Sequence, residues 1–235
     1  MPLTLDNSST TQINNETSKS FSFTVGSSKP QRGLFVAIGA EKSGSGTPAN
    51  PSATYNGVSM LPGGTVVGND ATGQRIRARL LYLAAPATGA NTLAVSWSSE
   101  NWFGYIVTRS YYGVDQTTPI YDPVSHVFSI TTGAISLAVP SLPGCIVFDI
   151  LTNGGDGTDN TTETLTVGGG QTEILNAAVG TGRSIYSSFE TAVSNSTTMS
   201  WTRSGSADNI LGAGMSIKPA DTGGGGAAVS PSLMF

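Results

Sequence analysis

The sequence predicts an all-β protein, an antiparallel sandwich or barrel. Three observations carry that reading. Apolar residues recur at every second position almost everywhere, which is the period of a half-buried strand. No stretch shows a convincing amphipathic helix. Clusters of Gly, Pro and Asn interrupt the chain at short intervals, as turns between short strands do.

Taken in order, SFSFTV alternates Phe21, Phe23 and Val25 on one face. GLFVAIG (33–39) is continuously apolar and reads as a central strand covered on both faces. ATYNGVSM (53–60) is a hairpin, because Asn56-Gly57 supply the two positive-φ residues of a type I′ turn. RIRARLLYLA (75–84) places Ile76, Ala78, Leu80 and Tyr82 on one face and Arg75, Arg77 and Arg79 on the other. NTLAVSW aligns Leu93, Val95 and Trp97, and WFGYIVTRSYYGV aligns Phe103, Tyr105 and Val107. Further strands follow in SHVFSI, GAISLAV, GCIVFDIL, TETLTVG, QTEIL, RSIYSSFETAV, TTMSWTR and ILGAGMSIK. PATGAN, NGGDGTDNT and VGTG are among the turns that separate them.

No linker divides this series, so the expected organisation is one β-sandwich domain over 18–219. A polar Asn/Ser/Thr-rich arm precedes it over 1–17. A glycine hinge with an apolar C-terminal peptide follows over 220–235.

Composition narrows the function classes. Of the 235 residues, 38% are hydrophobic and only 11% charged. The charged share is well below the roughly 25% of ordinary globular chains, so hydroxyls must solvate the surface. Ser and Thr together make about a quarter of the chain, a composition common in extracellular and particle-surface β proteins. A net charge of −4 argues against general nucleic-acid binding, which needs a basic footprint. The single Cys145 excludes an internal disulfide framework, and in the apolar run GCIVFDIL it reads as a small buried hydrophobe. MPLTLDNSST has neither a basic n-region nor an apolar h-region, and no run approaches a membrane helix. A soluble chain made in the cytoplasm, with no membrane span, is therefore expected.

Catalytic signals are weak. His126 is the only histidine, and it lies in VSHVFS with no nucleophile motif nearby. GxSxG and HExxH are both missing from the sequence. Neither VGGGQ nor GTGRS has the Lys-Ser/Thr ending or the following helix of a phosphate loop. A non-enzyme without cofactors is the expectation. The acidic residues Asp156, Asp159 and Glu163 in NGGDGTDNTTE are the one metal candidate, since oxygen-rich acidic loops bind Ca²⁺. Their spacing matches neither an EF-hand nor the glycine-rich calcium repeat, and a solvated hairpin loop is the preferred explanation.

Binding signals are stronger. Arg75, Arg77 and Arg79 concentrate scarce positive charge on one strand face, about 7 Å apart. That face is expected at a subunit or partner contact. Trp97, Trp102 and Tyr105 belong to the densest aromatic cluster, which reads either as core packing or as a platform for sugar rings. Asn7, Asn15, Asn160 and Asn195 stand in N-x-S/T, matches expected by chance in so Ser/Thr-rich a chain. The end, GGGGAAVSPSLMF, joins a flexible stem to Leu233, Met234 and Phe235. Burying each apolar side chain contributes about 1.5–3 kcal/mol, and ordering the stem costs about 1–2 kcal/mol per residue. The peptide therefore reads as an anchor to a partner, strongest when several copies act together, with a tail that folds back onto its own sandwich as the competing reading.

YLAAPATGANTLAVSW (82–97), then YIVTRSYYGVDQTTPI (105–120), then GAGMSIKPA (212–220) resemble the all-β modules of phage particles and environmental bacterial surface proteins. The likeness spans roughly residues 20–220, and the family brings no catalytic residues. It implies a single jelly-roll-like sandwich used as a building or binding module. The expected function is a non-enzymatic structural protein at the virion surface, a capsid decoration or head/tail fibre component. Its expected partners are further copies of itself, as a homo-oligomer, and a capsid or tail protein. The alternatives are an extracellular carbohydrate-binding module or adhesin that takes surface glycans, and a self-assembling filament subunit.

Overall fold

The chain is described from a computed structural model, which covers residues 1–42, 50–69, 75–97, 102–129, 134–154, 164–180, 183–203 and 209–221. Every regular element among these residues is a β-strand. The first half of the chain contributes β1 (Thr4–Glu16), β2 (Ser18–Val25), β3 (Gly33–Lys42), β4 (Ser52–Tyr55), β5 (Val58–Ser59), β6 (Leu61–Asn69), β7 (Arg75–Ala84), β8 (Gly89–Ser96) and β9 (Trp102–Tyr112). The second contributes β10 (Ile120–Ser129), β11 (Ala134–Pro140), β12 (Ile146–Gly154), β13 (Leu165–Val167), β14 (Thr172–Gly180), β15 (Arg183–Thr191), β16 (Ser196–Arg203) and β17 (Asn209–Ile217).

These strands form four antiparallel sheets. The first half builds β1-β9-β3-β7-β6 and β2-β8-β4-β5; the second builds β10-β17-β12-β15-β14 and β11-β16-β13. The two halves have the same topology. Replacing β1, β2, β3, β4, β6, β7, β8 and β9 by β10 to β17 in turn converts the first pair of sheets into the second, with only β5 unmatched. The architecture is thus a tandem repeat of one two-sheet unit.

Three hydrophobic clusters hold the sheets together. The central one joins the two five-stranded sheets, with Phe35, Ile76, Leu80 and Val107 meeting Phe148, Ile150, Leu211 and Met215. A second lies between the first half's own sheets, around Ile38, Leu93 and the indoles of Trp97 and Trp102. A third lies between the second half's sheets, around Leu137, Met199 and Trp201. The two five-stranded sheets are therefore covered on both faces. This is why β3 and β12 are buried at every position and read as unbroken apolar runs.

Two expectations are corrected. A single sandwich would have one core between two sheets, but the chain has four sheets around three cores. The polar segment over 1–17 is not an arm. Its residues Thr4–Glu16 are β1, paired with β9 from Thr4↔Tyr112 to Glu16↔Trp102. The segment looks polar because β1 is an edge strand with little cover: most of its positions are exposed or half-buried, and only Ile13 is fully buried. The Asn56-Gly57 hairpin is present, with φ of 49° and 76°.

Close backbone approach fixes two glycines. A Cβ on Gly39 would meet Ile185 Cγ2 at 2.6 Å and Thr152 Oγ1 at 2.8 Å, side chains from the other half of the chain. A Cβ on Gly104 would run into the Gly39 carbonyl oxygen and sit 2.7 Å from Ala40 Cα.

Candidate docking face

The strand registers give the molecule two unlike ends. At one end lie the last residues of β3 and β12 and the first of β7 and β15, as the pairs Lys42↔Arg75 and Asn153↔Ser184 show. This end carries charge: Glu41, Lys42, Arg77 and Arg203 are all buried there. Arg183 Nε meets Glu41 Oε1 at 2.6 Å across the junction of the two halves. The Arg183 guanidinium also lies 5.4 Å from the centre of the Phe103 ring.

The opposite end, the base, is where the chain enters at Met1, passes from β9 to β10, and leaves β17. Backbone hydrogen bonds knit these three passages together. The Met1 ammonium donates to Ala220 O at 2.7 Å, and Ala220 N donates to Gly113 O at 2.7 Å. Val114 N donates to Gln31 O at 2.8 Å, and Asp115 N donates to Lys218 O at 3.0 Å. Asp115 Oδ1 accepts from Thr117 N and Thr118 N at 2.8 and 3.1 Å, and Lys218 Nζ sits 3.3 Å from Oδ2. The Thr118 backbone bond, chiefly, holds the Asp115 carboxyl below its ordinary range.

The base also exposes apolar side chains. Val193, in the β15–β16 connection, is 84% exposed, far more than any other large hydrophobic residue among those described. Leu142, in the β11–β12 connection, is exposed beside it, since Gly144 N and Ala192 O bind these two connections together at 2.9 Å. Met1 and Leu5 add exposed apolar surface at the start of β1. Between these features opens a cleft of about 380 Å³, lined by Met1, Leu3, Ile146, Thr191, Pro219 and Ala220 among others. A second, more polar cleft of about 460 Å³ adjoins it, lined by Gln31, Asp115, Thr117 and Lys218 and sharing Ala220 and Asp221. The base thus combines exposed apolar groups with two concave surfaces, the features that mark protein contact sites.

The residues singled out in the sequence fall elsewhere. Arg77 is 1% exposed and donates to the Asn50 side chain, so it is an internal residue of the first half and not a partner contact. Its face of β7 carries Leu81 into the second cluster, so the stripe turns inward under the small sheet. Arg79 is half-buried, and burial lowers its pKa. Arg75 opens β7, and its side chain lies outside the described residues. Trp97 and Trp102 are each 1% exposed, and Trp97 Nε1 donates to Glu16 O at 2.6 Å. Neither indole offers a face to a sugar, which corrects the glycan platform at those two positions. Tyr105 is half-buried against the central cluster. Cys145 is buried, and burial raises its thiol pKa. His126 pairs with Gly212 in the β10–β17 ladder, its side chain outside the described residues. Asp156, Asp159 and Glu163 lie outside the described residues, as do Leu233, Met234 and Phe235. Among the described residues no group of three or more His, Cys, Asp or Glu side chains is placed to hold a metal ion.

The sequence reading passed over Asp149. This carboxyl is completely buried in the third cluster, on the face of β12 shared with Val147 and Leu151. Its Oδ1 accepts from Ser188 N at 2.6 Å and Ser188 Oγ at 3.0 Å, and its Oδ2 accepts from Trp201 Nε1 at 2.8 Å. Burial pushes its pKa up to about 7 against the pull of those donors. Topological equivalence sets Val36 at this place in the first half, since Val36↔Thr108 and Asp149↔Gly214 are each the fourth of nine pairs in the registers with β9 and β17. The signal in the sequence was an acid inside the run GCIVFDIL, where a strand covered on both faces should carry none.

No family model, curated protein or solved structure matches the chain.

Proposed function

We propose that the chain is a non-enzymatic structural protein of a viral particle, a decoration or fibre component that docks through its base. The observation that carries this reading is the polarity of the molecule. Exposed Val193, Leu142, Met1 and Leu5 and both clefts gather at one end, and the charged strand ends at the other. Such a molecule stands on a surface by one end. Each half is read as a jelly-roll-like unit, because the first strand pairs beside the last in the larger sheet and the second beside the last but one in the smaller, as β1-β9 and β2-β8 in the first half and β10-β17 and β11-β16 in the second. Two such units in tandem suit a building module.

The homo-oligomer belongs to the same reading, with copies meeting at their bases. Substitution of Val193→Asp together with Leu142→Asp tests it, because both side chains already face solvent in the single chain. The double variant should keep its melting temperature and lose its higher oligomers in light scattering after gel filtration. Immunogold labelling of density-purified particles from lysed cultures carrying the gene tests the location. Label on particles supports the reading. Label confined to cells or filaments, or saturable binding on a glycan array, overturns it in favour of an adhesin or filament subunit.

A further inference from the structure

We propose that Arg109 is the receptor of a carboxylate-binding site, which takes a monocarboxylate carried on an apolar body through the seam between β1 and β14. Arg109 shares a face of β9 with Val107 and Tyr111, which belong to the central cluster, and it is 3% exposed. Its guanidinium lies over the Phe189 ring, 4.1 Å from the ring centre, and 5.3 Å from that of Tyr111. Among the described residues no carboxylate pairs with it, and its buried Nε and Nη1 have no hydrogen-bond partner. The Tyr111 hydroxyl, two positions along the same face, is buried without a partner as well. Burial pushes the Tyr111 pKa up to about 12, so at neutral pH this group is a hydroxyl and a donor. A buried cation without a counter-ion and a buried phenol without an acceptor both call for an anion.

Strand register gives that anion a way in. Directly paired residues of antiparallel strands share a sheet face. The edge-strand partners of Arg109 and Tyr111 are Ser8 and Leu5 on β1, and that of Phe189 is Thr172 on β14. All three are exposed. The guanidinium therefore lies one strand in from a seam open to solvent. Both edges also bulge at this level, β1 between Leu5 and Asn7 and β14 between Glu173 and Leu175. Bulges interrupt the alternation of side chains and gather beside functional sites. Asp6 and Glu173, the acids at the bulges, serve other groups. Asp6 Oδ2 accepts from Gly26 N and Ser110 Oγ, and Glu173 Oε2 accepts from Asn176 Nδ2.

The chemistry selects a carboxylate. A guanidinium laid against an aromatic ring keeps its in-plane N–H groups for a ligand, and their fork matches the two oxygens of a carboxylate. Arg109 supplies a single positive charge here, which suits a monoanion better than phosphate. Exposed Leu5 and half-buried Ile174 offer apolar surface to the body of the acid.

The test uses the full chain with nitrogen-labelled arginine. The probes are hexanoate, N-acetylleucine, inorganic phosphate and chloride at constant ionic strength. Both carboxylates should shift the Arg109 Nε–H resonance saturably, in roughly the millimolar range, and raise the melting temperature as the site fills. Phosphate and chloride should bind at least tenfold more weakly. Tighter binding of hexanoate assigns the site to a free acid, and tighter binding of N-acetylleucine assigns it to the C-terminal carboxylate of a polypeptide. Arg109→Met should abolish both melting responses and raise the melting temperature of the ligand-free protein, because it removes an uncompensated buried charge. Tyr111→Phe should keep the fold and weaken carboxylate binding by about threefold or more. No response to either carboxylate, an equal response to chloride or phosphate, or a melting response that survives Arg109→Met overturns the proposal. So does a lower melting temperature of ligand-free Arg109→Met, which would make the guanidinium a strut of the fold. The measurements are made on the isolated chain, so they succeed or fail apart from the particle reading.

Discussion

Asp149→Asn should flatten the dependence of stability on pH. The folded-state pKa is about 7 against an ordinary 3.8. The folded protein therefore binds a proton that the unfolded chain releases between those values. Stability tied to this group is fully present below about pH 4. It falls as pH rises, by up to about 1.4 kcal/mol per pH unit, and is lost above about pH 7. Over the whole window the shift of roughly three units corresponds to about 4 kcal/mol. The donors explain why the loss is not larger: Ser188 N, Ser188 Oγ and Trp201 Nε1 all favour the charged form. Asparagine is neutral throughout, so its own pH slope at this site is zero. It also sets an amide NH2 against one of these donors, and an unmatched buried polar group costs about 1–3 kcal/mol at every pH. The diagnostic quantity is therefore the change in the difference between the two proteins, not the difference itself. Urea titrations at pH 4, 6 and 8 measure it. The parent protein should lose several kcal/mol relative to the variant between pH 4 and pH 8. Parallel profiles would refute the reasoning, because they would mean that Asp149 is charged in the folded protein across the whole range.

Gly104→Ala should destabilise the fold by about 3 kcal/mol or more in thermal melts, because the new methyl meets backbone at Gly39 and Ala40 and has nowhere to turn. Glu41→Gln should cost about 1–3 kcal/mol in urea titrations, since Glu41 is 1% exposed and its partner Arg183 only partly screened. Arg77→Gln should lower the melting temperature of the single chain and leave its oligomeric state in light scattering unchanged, because the buried guanidinium serves the first half internally. Trp201→Phe should push the Asp149 pKa still higher, moving the steep part of the pH profile upward by a measurable fraction of a unit.

Much of the fold was legible in the sequence, because strand formation is a local matter. Alternation located most of the strands, and unbroken apolar runs marked β3 and β12 as central. The tandem repeat was not read, although signals for it exist. Trp97 directly follows β8 and Trp201 lies near the end of β16, the equivalent inner strands of the two small sheets, and Gly33 and Gly144 each stand before or at the start of the central apolar run. The two copies conserve position and period and not identity, since each outer core is packed by its own side chains. Val36 on one side and Asp149 on the other show how far that divergence goes. The arginine stripe was correctly placed on one strand face. Which face a second sheet covers depends on β2, β4 and β8, residues distant in the chain. The same holds for the indoles, because aromatic density says nothing about exposure. The base was invisible for a related reason. Met1, Leu142 and Val193 are isolated apolar residues in their own segments, and only the fold brings them to one end.

The stacking of the two halves explains why a topological repeat behaves as one body. In the central contact β1 lies against β14, and β6 lies against β10 and β17. The first strand of each half thus faces the other half's counterpart of β6, as it would in a pair related by a twofold axis. The Thr152 hydroxyl donating to Arg77 O at 3.0 Å and the Arg183–Glu41 pair set the charged ends side by side, so the axis runs along the strands. The central cluster takes residues from both five-stranded sheets, and among the described residues neither sheet has another partner for that face. A half standing alone would expose it as a continuous apolar patch, larger than monomeric proteins tolerate. The strongest apolar face of the repeated unit is therefore consumed inside the chain. What remains for other molecules is the outer surface of the small sheets, the edges and the base. Of these the base carries exposed apolar side chains at both the start of β1 and the connections of the second half. Those positions differ between the halves, and a docking face built from them is asymmetric although the scaffold beneath it is nearly symmetric.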